Sequence, residues 1–284
     1  MVFMEKVRIE ENTVQETLLL PVWGRAQCTM NYPELSMDKD AVDIVDKVDY
    51  DFSKIKFPND SQLMYGIRHR MLVERAKDFV NKHPEATIVN LGCGLDTSFS
   101  LVDNGTCRWV NLDLPDVIDM RKRLFEPKDR EQDLAHDAFQ MSWMDKVVSE
   151  PGEPVYVISG GVFYYFQEED IRRLLTTLAY KFPGGGAFFD CENKMGVKQS
   201  NKMVVRSGNT GSPMYFYVNN AERTFRSWCD DFSEINEMDY TPPYISNMKG
   251  ISSRSKLMLK LMNMMGIAKF VEIRFKDREP SDRM

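Results

Sequence analysis

A short β-branched run that stops on two glycines does most to limit what this chain can become: ATIVNLGCGLDTSFSL, residues 86–101. The run predicts an extended segment, and Gly92 and Gly94 let the backbone turn tightly and let a ligand press against it with no Cβ in the way. Leu95 to Leu101 reads as the start of the next helix. Upstream, SQLMYGIRHRMLVERAKDFVNKHP places Leu63, Ile67, Met71, Val73, Ala76 and Val80 at helical spacing, with Ser61 able to cap the run and Pro84 to stop it. Residues 13–83 therefore read mostly as helix.

Downstream the pattern alternates. CRWVNLDLP (107–115), PVYVISGG (154–161) and GAFFDCEN (186–193) are further short strands. EEDIRRLLTTLAYKF (168–182) is a helix with acids at its positive end and PGGG just beyond it. Strand and helix in turn predict α/β architecture with a mostly parallel sheet. Toward the end, AERTFRSWCDDF (221–232) and SKLMLKLMNMMG (255–266) read as helices, SEINEMDYT as a weak strand and KFVEIRFK (269–276) as an alternating one. These last two suit a terminal antiparallel pair. The polar, Gly-, Ser- and Asn-rich stretch 194–212 reads as a mobile loop above the carboxyl ends of the strands. The expected organisation is one domain: a helical cap over 1–83, a ligand-binding core over 84–193, and a lid loop with the rest of the sheet over 194–284.

Composition narrows the partners. A net charge of −6, with acids and bases interspersed, leaves no concentrated basic face for nucleic acid. The five cysteines, Cys28, Cys93, Cys107, Cys191 and Cys229, are odd in number and widely spaced, which suits reduced thiols better than disulfides or a zinc site. No metal is expected. Acids precede any apolar run at the amino end, which argues against a signal peptide, and no apolar stretch is long enough to span a bilayer. The expectation is a soluble, cytoplasmic protein that takes a small molecule; its oligomeric state is not legible.

The glycine bend does not fit a dinucleotide. That fingerprint needs a third glycine three positions after the second, and here Thr97 stands there with Asp96 before it. A carboxylate so near the helix start repels a diphosphate but tolerates a ligand with positive charge. S-adenosylmethionine is such a ligand, with a nucleoside, a sulfonium and an amino acid tail. Asp113 ends the second strand about twenty residues on, where an acid accepts hydrogen bonds from ribose hydroxyls. The plainer alternative is an ordinary strand-to-helix turn, with Asp113 capping the following helix.

VNLGCGLDTS followed by VNLDLPDVIDMRKRLF resembles the signature of the leucine carboxyl methyltransferase family, which includes bacterial polyketide O-methyltransferases. The similarity continues in LLPVWGRAQC, YGIRHRML, SGGVFYYFQEEDIRRLL and FPGGGAFFD, covering roughly residues 17–192. The resemblance implies a Rossmann-like class I methyltransferase fold with a mostly parallel seven-stranded sheet, a helical amino-terminal segment and a lid insertion. It implies S-adenosyl-L-methionine as cofactor, S-adenosyl-L-homocysteine as its product, and transfer to a carboxylate or hydroxyl of a small, polyketide-like acceptor. Arg68 is the implied partner of the cofactor carboxylate, with Arg70 second. Gly92, Cys93, Gly94 and Asp96 would line the bend, Asp113 and Leu114 the sugar, Asp137 and Ala138 the adenine (Asp133 and Leu134 being the rival pair), and Ser159 and Gly160 the far strand. One departure stands out: the family reads glutamate where this chain has Gly160. Asp96, a water, or weaker affinity are the three ways to account for that lost charge.

No catalytic residue is assigned. His69, His83 and His136 each read more readily as surface or supporting residues than as a base. On the acceptor side, Arg25 and the aromatics Tyr164, Tyr165 and Tyr215 are the candidates, the aromatics suiting a planar acceptor. Two other readings stay open: a cofactor-binding relative with a protein carboxyl methyltransferase or non-catalytic role, and a nucleotide-dependent oxidoreductase, against which Thr97 speaks.

Overall fold

The computed structural model describes residues 6–8, 14–55, 61–126, 128–147, 152–206 and 213–277. At the amino end, β1 (Val7–Arg8) pairs in parallel with β2 (Val48–Asp49), and α1 (Val14–Asn31) and α2 (Lys39–Lys47) lie between them in sequence. Next come α3 (Ser61–Lys82), β3 (Thr87–Leu91), α4 (Phe99–Val102), β4 (Arg108–Asp113), α5 (Pro115–Leu124) and β5 (Glu131–Ala135). The chain continues through β6 (Val155–Ser159), α6 (Glu168–Lys181), β7 (Gly186–Glu192), α7 (Lys194–Arg206), α8 (Ala221–Arg226), β8 (Phe232–Asp239), α9 (Ser253–Met264) and β9 (Ala268–Phe275).

Seven strands form one sheet in the order β5-β4-β3-β6-β7-β9-β8, parallel except that β9 runs antiparallel to both its neighbours. The expected antiparallel pair thus closes one edge. Because helices cover both faces, β3, β6 and most of β7 are buried throughout, which is why they read as near-continuous apolar runs. On one face, Leu174, Leu175 and Leu178 of α6 pack on Val89, Val157 and Phe189. On the other, Leu72 and Phe79 of α3 and Leu259 of α9 join Ile88, Tyr156 and Phe188.

A third core joins Leu19 and Val22 of α1 and Ile44 of α2 to Leu95 in the glycine loop and to Met120 and Leu124 of α5. Helices α1 and α3 approach through their glycines. A Cβ on Gly24 would fall 2.4 Å from Tyr65 Cδ2, and one on Gly66 2.2 Å from Cys28 Sγ. The WGRAQC and YGIRHRML stretches are therefore the two sides of one helix contact.

Four expectations change. Strand β5 was not anticipated, because EQDLA lacks an apolar alternation; it is an edge strand tied down by Arg121, which bonds Asp133 Oδ1 at 3.1 Å. Residues 194–206 are helical, not a loop. Asn193 starts that helix by accepting from Gly196 N at 2.8 Å, and Val197 turns inward; residues 207–212 lie outside the described residues. The helix after the glycines begins only at Phe99, and the one from Ala221 ends at Arg226.

One carboxylate fastens the amino-terminal helices to the glycine loop. Asp38 Oδ1 caps α2 at Ala41 N (3.0 Å) and accepts from Thr97 Oγ1 (2.6 Å), while its Oδ2 accepts from Arg25 Nε (2.8 Å). Arg25 then reaches on to Leu95 O at 2.7 Å. Burial alone would raise this carboxyl, but His69, Arg25 and the Thr97 hydroxyl more than offset that and hold it at about 2. A depressed carboxylate stabilises the fold above its ordinary value of 3.8, and the contribution is lost as pH falls through about 2. Asp38→Asn should therefore lower unfolding free energy at neutral pH by about 3 kcal/mol or more, since it strands the buried Arg25 charge. It should also flatten the stability curve between pH 4 and pH 2. Urea unfolding across that range checks both; a variant that tracks wild type throughout would remove Asp38 from this role.

Candidate cofactor and acceptor site

Strand order reverses at β3, which has β4 on one side and β6 on the other. A ligand crevice opens at the carboxyl ends of strands at such a point. The glycine bend lies there, with Gly92 at φ +67° and Gly94 at φ +50°, both in the left-handed region. A Cβ on Gly92 would fall 2.6 Å from Val162 Cγ2. Cys93 between them is buried, and burial pushes its thiol well up, so it packs as a small apolar group.

Asp113 closes the neighbouring strand. Its Oδ2 accepts from Gly94 N and its Oδ1 from Leu114 N, both at 2.8 Å. Helix α5 starts at Pro115 with Leu114 as its N-cap and no side-chain cap, so Asp113 does not cap it; the first bond pins the bend. Burial raises the Asp113 carboxyl, and each oxygen keeps a further lone pair. Leu114 beside it is 47% exposed, an apolar surface at the rim. Past the end of β5, Asp137 Oδ1 accepts from Phe139 N, and the Ala138 carbonyl accepts from Trp143 Nε1. The rival pair lies inside the strand: Asp133 bonds Arg121 and Asn111, and Leu134 is buried.

Asp96 has a different task from the one expected. Its Oδ1 accepts from Asn90 Nδ2 (2.9 Å) and from Ser98 N (2.8 Å), and its Oδ2 lies 3.9 Å from His69 Nε2. The carboxylate is turned back onto its own loop and does not stand in for the lost glutamate. Arg121, almost fully buried, holds the same loop from below through the carbonyls of Gly94 (3.0 Å) and Asp96 (2.9 Å).

The other half of the crevice is built by α3, the end of β6 and β7. Ser159 Oγ donates to Leu91 O at 3.0 Å, linking β6 to β3. Arg68 Nε donates to Asp190 Oδ2 at 2.8 Å and its Nη2 to Tyr164 Oη at 3.2 Å, while Nη1 has no hydrogen-bond partner among the described residues. Asp190 also accepts from Gly161 N at 2.6 Å. At Gly160 a Cβ would fall 2.6 Å from Leu72 Cδ1 and 3.2 Å from Arg68 Cδ. A side chain there would press on the tip of Leu72 and the stem of Arg68, and the acid at this corner is Asp190 on the adjacent strand.

Three sequence assignments are corrected. Arg25 is only 6% exposed and donates to Asp38 and Leu95, so burial keeps it from an acceptor. Arg70 pairs with Glu74 at 2.8 Å and stacks over the Tyr244 ring, away from the crevice. Tyr164 is an inner residue that bonds Arg68, whereas Tyr165 and Tyr215 are 37% and 48% exposed. The backbone of Tyr215 is fixed by Tyr164, N to O at 2.6 Å.

The leucine carboxyl methyltransferase family model matches residues 26–179, more than half of the chain. The chain belongs to this family. Tetracenomycin polyketide synthesis O-methyltransferase TcmP of Streptomyces glaucescens is 31% identical over 178 residues, 62% of this chain and 65% of TcmP. The chain thus spans just under two thirds of that relative's length. Among solved structures, a Thermobifida fusca YX protein provisionally assigned as a methyltransferase superposes with a TM-score of 0.57 at 14% identity, covering 89% of this chain and 94% of its own. A DUF574 family protein from Streptomyces avermitilis MA-4680 gives 0.56 at 11% identity, covering 89% and 97%. Both share the Rossmann-like class I fold.

Sequence reasoning missed Asp190, Asp38 and Arg121. Asp190, the lone acid within the apolar run GAFFDC, carried a signal that could have found it, whereas Asp38 and Arg121 sit among other charged residues, in MDKD and MRKR, where nothing singles them out. A prediction separates backbone strain from crowding at the bend. Gly105, at φ +87°, has nothing within 4 Å of a built Cβ, so Gly105→Ala should cost about 1–2 kcal/mol from conformation alone. Gly92→Ala should cost more, because it also displaces Val162. Equal losses in urea unfolding would show that the bend is not crowded.

Proposed function

We propose that this family member is an enzyme that transfers a methyl group from S-adenosyl-L-methionine to an oxygen of a small molecule and releases S-adenosyl-L-homocysteine. The observation that carries the reading is the left-handed bend at Gly92 and Gly94 with the Asp113 carboxylate beside it and, across the crevice, the Nη1 of Arg68, without a partner among the described residues. These features fit the ligand's parts. Asp113 suits the ribose hydroxyls, Leu114 with the Asp137–Ala138 turn the adenine, and Arg68 the tail carboxylate. Asp190 fixes the guanidinium from behind and puts a negative charge near the tail's ammonium. The Gly160 departure therefore no longer favours a non-catalytic relative.

When bound, the cofactor supplies an activated methyl on a cationic sulfur. The protein's own task is to hold an acceptor oxygen in line with that carbon and to exclude water. TcmP, by its name an O-methyltransferase of polyketide synthesis, supports oxygen as the acceptor and a polyketide-like molecule as its source. Among the described residues, no helix is long and apolar enough to cross a membrane and the five thiols are free, and we place the enzyme in the cytoplasm.

Calorimetry with S-adenosylhomocysteine tests the reading. Saturable binding is expected; none at high concentration would reject it. Asp113→Ala should weaken that binding by about 1–3 kcal/mol, roughly 5- to 150-fold, as a buried polar group loses its partner. Arg68→Ala should reduce affinity for S-adenosylhomocysteine far more than for its decarboxylated analogue, and equal losses would remove Arg68 from the tail.

A further inference from the structure

Helix α9 carries apolar residues on two opposite sides. Toward the sheet, Leu259 is buried in the second core, with Met258 and Met262 packed against it. On the far side Leu257, Leu261 and Met264, spaced by four and then three residues, form one line along the helix, and they are 57%, 47% and 73% exposed. A helix that covers one face of a sheet ordinarily turns polar residues outward there. The next residue, Met265, is exposed as well. This end of the helix is tied to the crevice rim, because Asn193, just past β7, donates from Nδ2 to the Met265 carbonyl at 3.0 Å.

Charge on α9 is also one-sided. Between Asp239 and Glu272 the sequence holds five cations and no acid, in a chain whose net charge is −6. One of the five, Lys269, is spent on Glu237 at 2.6 Å. At 3.6 residues per turn, Lys256 and Lys260 fall on one flank of the apolar line and Arg254 on the other. None of these three enters an ion pair among the described residues. A single exposed leucine is ordinary, but an apolar line bordered by unpaired cations marks a contact surface.

We propose that this face of α9 docks the protein on a bilayer rich in anionic lipid. Leu257, Leu261 and Met264 enter between the headgroups, while Arg254, Lys256 and Lys260 keep their charges at the level of the lipid phosphates. So small an apolar area holds a protein to lipid only weakly, so the cations must add their attraction, and the attachment is reversible and salt-sensitive. A second copy of the chain fits less well. Two copies meeting symmetrically through α9 would set these three cations against the same three, with no acid in either helix to pair them. A free phosphate would satisfy the cations and leave the apolar line in water. The surface is independent of what the crevice binds. Its position beside the end of β7 brings that side of the crevice to the bilayer, where apolar molecules concentrate.

The test floats the full chain with vesicles of phosphatidylcholine alone and of phosphatidylcholine with about a third phosphatidylglycerol. Wild type should bind the anionic vesicles at least about tenfold more tightly than the neutral ones, and the difference should vanish between about 50 mM and about 500 mM salt. Leu257→Gln with Leu261→Gln, and separately Arg254→Glu with Lys260→Glu, should each lose at least about tenfold in that binding at an unchanged melting temperature. Tyr180→Gln, which alters an exposed aromatic of α6 across the sheet, should bind as wild type does. Wild type that ignores anionic vesicles overturns the proposal. So does binding that survives the two glutamines, which would be a charge effect without the apolar face, or light scattering that shows a dimer dissolved by those same glutamines, which would make the face a contact between copies.

Discussion

The buried Asp38 carboxylate is the interaction on which the rest of the arrangement depends. A charge with almost no exposure survives only when it is paired and hydrogen-bonded, and Asp38 meets that demand with donors from separate places: Arg25 in α1, Ala41 in α2 and Thr97 in the glycine loop. Satisfying one carboxylate thereby fixes the amino-terminal helices against the loop that shapes the crevice. Arg121 does the same from the opposite side, joining edge strand β5 to the loop carbonyls. The bend is rigid because two buried charges require it to be.

This changes the meaning of the GLDT residues. As a string they suggest a ligand-facing acid and hydroxyl, yet Asp96 closes its own turn and Thr97 donates to Asp38. Their chemistry goes into holding the backbone, while the groups we propose to face the ligand are the bend itself, Asp113, and the Arg68–Asp190 pair. A peptide N–H and a glycine surface make a good cradle only when other groups remove their freedom to move. The same logic explains Gly160: Leu72 and Arg68 occupy the volume a side chain would need, and the carboxylate arrives from the next strand.

Much of the fold was legible in the sequence. The buried parallel strands from Thr87, Arg108, Val155 and Gly186 carried short, mostly apolar runs, and α3 and α6 carried a helical period with a capping residue or acids at their starts. β5 was not legible because EQDLA has no apolar alternation and is held by the bond from Arg121 to Asp133, whereas α7 was hidden by its Gly, Ser and Asn content although its apolar residues recur at helical spacing.

By itself the sequence determined the alternation of strand and helix, the two-glycine turn with an acid at the end of the following strand, and the family to which these belong. Those features are local, carried by residue type at fixed spacing. Tertiary structure alone decided which charged groups face the crevice and which are consumed within the protein, because that depends on contacts between residues far apart in the chain, 122 residues in the case of Arg68 and Asp190. No spacing along the chain separates Arg25, sealed against Asp38, from Arg68, whose side chain is partly exposed; each donates to two acceptors, and the difference is where the packing puts each guanidinium.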